Sequence, residues 1–119
     1  MNEVKVPSPV KISAIVITYN EEAKIANCLE SLVEVADEII VVDSFSTDAT
    51  EEICSRYNVR FVKHAFAGHV AQQNYALRIA AYDHVLVLDA DERLSDDLKK
   101  SILTVKKDWA IVTHTRLTD

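Results

Sequence analysis

Three short stretches of this chain are apolar at nearly every position rather than at every second one: Ile12 to Ile17, Glu38 to Asp43 (EIIVVD) and His84 to Leu88. A strand with one face in water alternates polar and apolar residues. Continuous runs rich in Val and Ile therefore belong to strands covered on both faces, the condition of a parallel sheet. Val59 to Lys63 adds a shorter strand between the second and last of these, and Trp109 to Thr113 can begin a fifth. Between the strands the spacing becomes helical. Ile25, Cys28, Leu29, Leu32 and Val33 recur at i, i+3, i+4, i+7 and i+8 behind a capping residue, Asn20, with Glu21 and Glu22 near the positive end of the helix. Ser46-Thr47-Asp48 offers caps for a second helix that turns Ile53, Cys54 and Tyr57 inward. The third comes after the only glycine, Gly68, and by spacing its inward face is Val70, Gln73, Asn74, Leu77, Ala80 and Ala81. Ser95-Asp96-Asp97 caps a fourth, whose lysines read as a solvated face that complements the helix dipole. Strands and helices alternating over short connections predict an α/β fold, a mostly parallel sheet with helices on both faces.

At 119 residues the chain is long enough for one domain with a core of its own. Pro7 and Pro9 make residues 1–11 an extended leader, and the domain proper runs over 12–119. A composition of 49% hydrophobic and 27% charged residues excludes a disordered or fibrous chain. No apolar run nears the roughly 20 residues that span a bilayer, and the first residues lack the apolar core of a signal peptide. The reading is cytoplasmic, with the inner face of a membrane left open to a longer protein. The net charge of −6, and the lack of a Lys/Arg stripe interleaved with aromatics, exclude a nucleic-acid partner. Cys28 and Cys54 lie on the apolar stripes of helices without C-x-x-C spacing, as buried thiols do, rather than as a disulfide or zinc site.

The residues just past each strand carry the chemistry. The first strand empties into Thr18-Tyr19-Asn20-Glu21, the second into Asp43-Ser44-Phe45-Ser46-Thr47-Asp48 and the fourth into Asp89-Ala90-Asp91. In a parallel sheet these meet at one edge, where ligands bind. Asp43, Asp48, Thr18 and Asn20 each have a plainer role as turn or cap residues. Gln73 and Asn74 can equally satisfy buried backbone groups, and His64, His69 and His84 show no metal-ligand spacing. Asp89 and Asp91 are harder to explain in that way. Two carboxylates flanking one residue after a buried strand repel each other unless a cation offsets them, and oxygen ligands of this kind suit Mg²⁺ or Mn²⁺ shared with substrate phosphates.

In this order and spacing, ISAIVITYNEE, EIIVVDSFSTDAT, GHVAQQNYAL and VLVLDADE resemble the inverting glycosyltransferases of GT-A fold, family 2 type, which include many enzymes of bacterial polysaccharide synthesis. The DSFSTD form is most similar to the branch that adds sugars to the lipopolysaccharide core, and the resemblance covers about residues 12 to 103. It implies the nucleotide-diphospho-sugar transferase fold, a nucleotide-diphosphate sugar as donor, a saccharide or lipid-linked acceptor, and Mg²⁺ or Mn²⁺ as cofactor. By that likeness Thr18, Tyr19, Asn20 and Glu22 line the nucleoside pocket, and Asp43 approaches the base from the loop that also carries Asp48. Gln73 and Asn74 lie near the diphosphate or ribose. Asp89 reaches the ribose or metal-bound water, Asp48 and Ala90 belong to the same nucleotide-sugar site, and Asp91 is the more direct metal ligand beside Asp89.

The chain departs from the pattern in three places. Ser44 and Phe45 stand where many relatives carry a second acid and a glycine, which leaves the choice between uracil and another base open. Gln73 is neutral where relatives often place Lys or Arg. The resemblance also implies a longer protein, whose acceptor half and general base come after Asp119, so no residue here is assigned that role. A fragment ending there is expected to leave a sheet edge open to self-association.

A receiver-type phosphorylation domain shares the length and the α/β pattern but wants an acidic pair after its first strand. A nucleotidyltransferase wants a glycine-rich basic loop there. The first strand ends instead in Thr-Tyr-Asn. A non-catalytic interaction module is the remaining alternative.

Overall fold

A computed structural model describes residues 10–108 and 116–118 as a five-stranded sheet in the order β3-β2-β1-β4-β5. The strands are β1 (Ile12–Thr18), β2 (Glu38–Asp43), β3 (Arg60–Lys63), β4 (His84–Val87) and β5 (Arg116–Thr118), and all neighbouring pairs run parallel. Between them lie α1 (Ile25–Leu32), α2 (Thr50–Cys54), α3 (His69–Ile79) and α4 (Asp96–Asp108). The stretch expected to begin a fifth strand, Trp109 to Thr113, lies outside the described residues, as do residues 1–9. Val10, expected to belong to the leader, is buried, and its N–H donates to the Lys106 carbonyl at 2.9 Å.

The unbroken apolar runs are explained by two cores. Successive side chains of a strand point to opposite faces. Ala14, Val16, Ile39, Val41 and Leu86 accordingly meet Ile25, Cys28, Leu29, Leu32, Cys54 and Ile102 on the side covered by α1, α2 and α4. Ile15, Ile40, Val42, Val85 and Val87 meet Tyr75, Ala76 and Ile79 of α3 and Ala80 just past it on the other. Both cysteines are free and buried, as their spacing predicts.

Three expectations need correction. The inward face of α3 is one residue off: Gln72 and Ala76 are buried, while Val70 and Leu77 are exposed by 71% and 45%. Val70 and Leu77 set the register in the sequence, but it is Gln72 that lies inside, its amide fully bonded. Its Oε1 lies 2.7 Å from His64 Nδ1, and its Nε2 donates to Ser44 Oγ and the His64 carbonyl. Val33, expected inward, lies just beyond the end of α1 and is half exposed. The lysines of α4 are not simply a solvated face. Lys106 Nζ donates to Asp37 and to the Val35 carbonyl, both at 2.8 Å, and Lys99 reaches Glu34 at 3.5 Å. Their aliphatic stems cover the turn between α1 and β2 while their charged ends bond it.

The pairing of β1 with β2 runs from Ser13 opposite Glu38 to Thr18 opposite Asp43, so the two strands end level. From β1 the chain moves to β2 on one side, whereas β4 pairs with β1 on the other. The carboxyl ends of β1 and β4 therefore flank the topological switch point of the sheet, where α/β proteins open a crevice. The β3 edge is bounded by exposed Arg60 and Lys63, charges that disfavour edge-to-edge pairing.

Candidate functional site

Beyond β1 and β2 the chain makes two loops that hold each other. Asp43 is buried at the end of β2; its Oδ1 accepts from the hydroxyls of Thr18 and Ser46, each at 2.6 Å, and its Oδ2 from the Ser46 N–H at 2.7 Å. Asn20 takes a left-handed backbone, φ 52°, which Asn tolerates, and its Oδ1 accepts from the N–H groups of Thr47 and Asp48. Its own N–H donates to Ser46 Oγ at 2.8 Å. Glu22 Oε1 accepts from Ala49 N–H, while the N–H groups of Glu21 and Glu22 donate to Thr50 Oγ1 and Asp48 Oδ2. Partial desolvation raises the Asp48 carboxyl. Hydrogen bonds from the Thr50 hydroxyl and from the N–H groups of Thr50, Glu22 and Asp48 itself outweigh that and hold it below the ordinary carboxylate value. Asn20 thus does not cap α1, as its place in the sequence predicts. That helix starts at Ile25 without a side-chain cap, and the residues before it are bound to the neighbouring loop.

Along the same edge two depressions adjoin. One, of about 370 Å³, is lined by Ile17, Thr18, Tyr19, Glu21, Ser44, Phe66 and His69. The other, about 220 Å³, lies between the ends of β1 and β4 against α3 and takes in Gln73, Asp89, Ala90 and Asp91. Ile17, Glu21 and His69 line both, which makes the two one cleft.

The electrostatics of that cleft are one-sided. Asp89 and Asp91 are exposed, and among the described residues neither carboxylate accepts a hydrogen bond or pairs with a cation. Burial raises the Glu21 carboxyl above its ordinary value, and the charge of Asp91 adds to the shift, with smaller parts from Asp48 and Asp89 against a lowering by Lys24. No three of His, Cys, Asp and Glu among the described residues stand close enough to hold a metal by themselves. The donor set fits a hard cation such as Mg²⁺ or Mn²⁺, which takes one or two carboxylates and completes its shell with water and substrate phosphate.

The residues singled out from sequence thus divide into two groups. Tyr19, Gln73, Asp89, Ala90 and Asp91 line the cleft together with Thr18. Asn20, Glu22, Asp43 and Asp48 spend their polar atoms on binding the two loops, and Asn74 is exposed on α3 and lines neither depression. Sequence reasoning missed Glu21, Phe66 and His69. The signal available was their place between a strand end and the following helix, Glu21 after β1, Phe66 after β3 and His69 at the start of α3.

Residues 13–118 match the family model described as glycosyl transferase family 2. An uncharacterized glycosyltransferase of Rickettsia felis is 41% identical over 92 residues, which are 77% of this chain and 32% of that protein. The lipopolysaccharide core biosynthesis glycosyltransferase LpsC of Rhizobium meliloti is 37% identical over 94 residues, 75% of this chain and 34% of LpsC. Among solved structures, S. aureus TarS 1-349 superposes with a TM-score of 0.70 at 31% identity, covering 84% of this chain and 33% of that one. The glucosyl-3-phosphoglycerate synthase of Mycobacterium tuberculosis, solved in complex with Mn²⁺ and uridine-diphosphate-glucose, has a TM-score of 0.61 at 31% identity over 69% of this chain and 33% of its own. The chain spans about a third of the length of the curated relatives it matches.

Proposed function

The chain belongs to glycosyl transferase family 2, and on that premise we propose that its cleft is the donor site of an enzyme that transfers a sugar from a nucleotide-diphosphate sugar, with inversion, to a saccharide or lipid-linked acceptor. The observation that carries this reading is the set of carboxylates at the switch point. Asp89 and Asp91 lack partners among the described residues, and Glu21 is raised by burial and by Asp91. A diphosphate cannot approach such a wall without a cation between them. Asp91 and Asp89 would hold Mg²⁺ or Mn²⁺, which when bound stabilises the negative charge growing on the departing nucleoside diphosphate. Tyr19, half exposed on the adjoining depression, offers a ring face to the base. Thr18 and Asp43 end their strands beside it, and Asn20, Glu22 and Asp48 shape the pocket by fixing its two loops. Gln73 faces the diphosphate from α3, across from Asp89 and Ala90.

The Mn²⁺ and uridine-diphosphate-glucose of the mycobacterial synthase support the choice of cofactor and donor class, and the likeness to LpsC supports an acceptor from the cell envelope. Family membership sets aside the receiver-type alternative. No residue of this chain is given the role of general base. Among the described residues no helix is long and apolar enough to cross a membrane.

Calorimetric titration with UDP and GDP, each with and without Mn²⁺, tests the assignment. Binding is expected to need the metal and to weaken at least tenfold in Asp91→Ala, the loss of roughly 1.4 kcal/mol or more. Equal binding by both proteins, or binding indifferent to Mn²⁺, would remove the metal from the site.

A further inference from the structure

The cleft holds three carboxylates, Glu21, Asp89 and Asp91, and among the described residues no lysine or arginine lines either of its depressions. Gln73, which lines the cleft from α3, is neutral. One lining side chain can bear positive charge. His69 is the first residue of α3, one helical turn before Gln73, and it lines both halves of the cleft.

Two features prepare His69 for a ligand. Its ring nitrogens have no hydrogen-bond or ion-pair partner among the described residues, although the side chain stands in an acidic cleft. Its ring is nevertheless steadied, because Phe66 meets it edge to face with centroids 5.3 Å apart and planes at 79°. A fixed imidazole with free N–H capacity, at the junction of a Tyr19-lined depression and an Asp91-lined one, stands where the linkage between nucleoside and metal must pass.

We infer that His69 is the side chain that meets the diphosphate of the donor, its imidazole donating a hydrogen bond to a phosphate oxygen where, among the described residues, no lysine or arginine lines the cleft. The inference rests on the donor-site reading. It assigns His69 to binding the phosphates and leaves the nucleoside to the other depression.

The test is binding of UDP and of uridine, both with Mn²⁺, to the 119-residue chain, measured by ligand-observed NMR. Wild type is compared with His69→Phe, which keeps an aromatic ring against Phe66 but cannot donate or carry charge, and with His69→Arg, which restores both. The expected result is that His69→Phe weakens UDP roughly tenfold or more, as loss of a charge-assisted hydrogen bond does. Uridine should be unaffected, and His69→Arg should recover UDP affinity. Unchanged UDP affinity in His69→Phe, or equal losses for UDP and uridine, would overturn the role of His69 while leaving the donor site standing. Failure of folded wild type to bind UDP would overturn both.

Discussion

Phe45 takes a left-handed backbone, φ 60°, with its ring half in solvent. A bulky residue in that region stores strain of about 1–2 kcal/mol. Replacing it by glycine removes the strain but adds chain entropy to the unfolded state, a cost of roughly 0.5–1 kcal/mol. Phe45→Gly should therefore be neutral or stabilising by up to about 1 kcal/mol, whereas the β-branched Phe45→Val should destabilise. Urea denaturation decides it, and a valine variant at least as stable as the glycine variant would contradict the strain argument. At this scale the acidic part of the site was legible, because Asp89 and Asp91 come after a strand whose apolar run is unmistakable. Glu21 was not. Its place before an apolar helical pattern made it look like a partner of the helix dipole, but α1 begins only at Ile25, and the residue is left to face the cleft. His69 was passed over because a lone histidine carries no pattern until a fold puts acids around it.

Between elements, α1 holds the segment that bears the two aspartates. The Ser31 hydroxyl donates to the Cys28 carbonyl at 2.8 Å and accepts the Leu94 N–H at 3.0 Å, with all three residues buried. The Cys28 thiol, pushed up to about 12 by burial and then by Glu92, stays protonated and donates to the Asp89 carbonyl at 3.6 Å. Ser31→Ala leaves the buried Leu94 N–H without its acceptor, so a loss of about 1–3 kcal/mol is expected in urea denaturation. A change below about 0.5 kcal/mol, the range of an ordinary surface substitution, would mean that Ser31 does not anchor the segment. Strands and α1 could be read from sequence because burial on both faces, or on a whole stripe, writes itself as a period. Helix α3 could not. Its one large, fully buried side chain is an amide satisfied by His64 and Ser44, partners that are distant in sequence or unmarked by any pattern.

For the whole molecule, the two faces of the sheet are unequally covered. Three helices and their flanks bury Ile25, Leu29, Leu32, Leu94 and Ile102 on one side, whereas among the described residues α3 is the one helix on the other, covering it with Ala76 and a buried amide while leaving Val70 and Leu77 in solvent. Stability tracks buried apolar contact, so the α3 layer should open before the rest. Native-state hydrogen exchange is expected to show α3 amides exchanging through a local opening with little dependence on denaturant, while β1 and β2 exchange only through global unfolding. Leu29→Ala, a cavity in the larger core, should cost about 2–5 kcal/mol and lower the protection of β1 and β2 by that full amount, with α3 little changed. Uniform protection across α3 and the central strands would show one cooperative unit instead. The same asymmetry bears on binding. His69 and Gln73 reach the cleft from the less stable layer, while the segment that bears Asp89 and Asp91 is held to α1 at Asp89 and Leu94 on the other. A nucleoside diphosphate with Mn²⁺ would touch both layers and be lost whether α3 opens or the whole chain unfolds, so its binding should raise the protection of α3 and of β1 by the same amount, and a gain in β1 with none in α3 would place the ligand on the rigid layer alone.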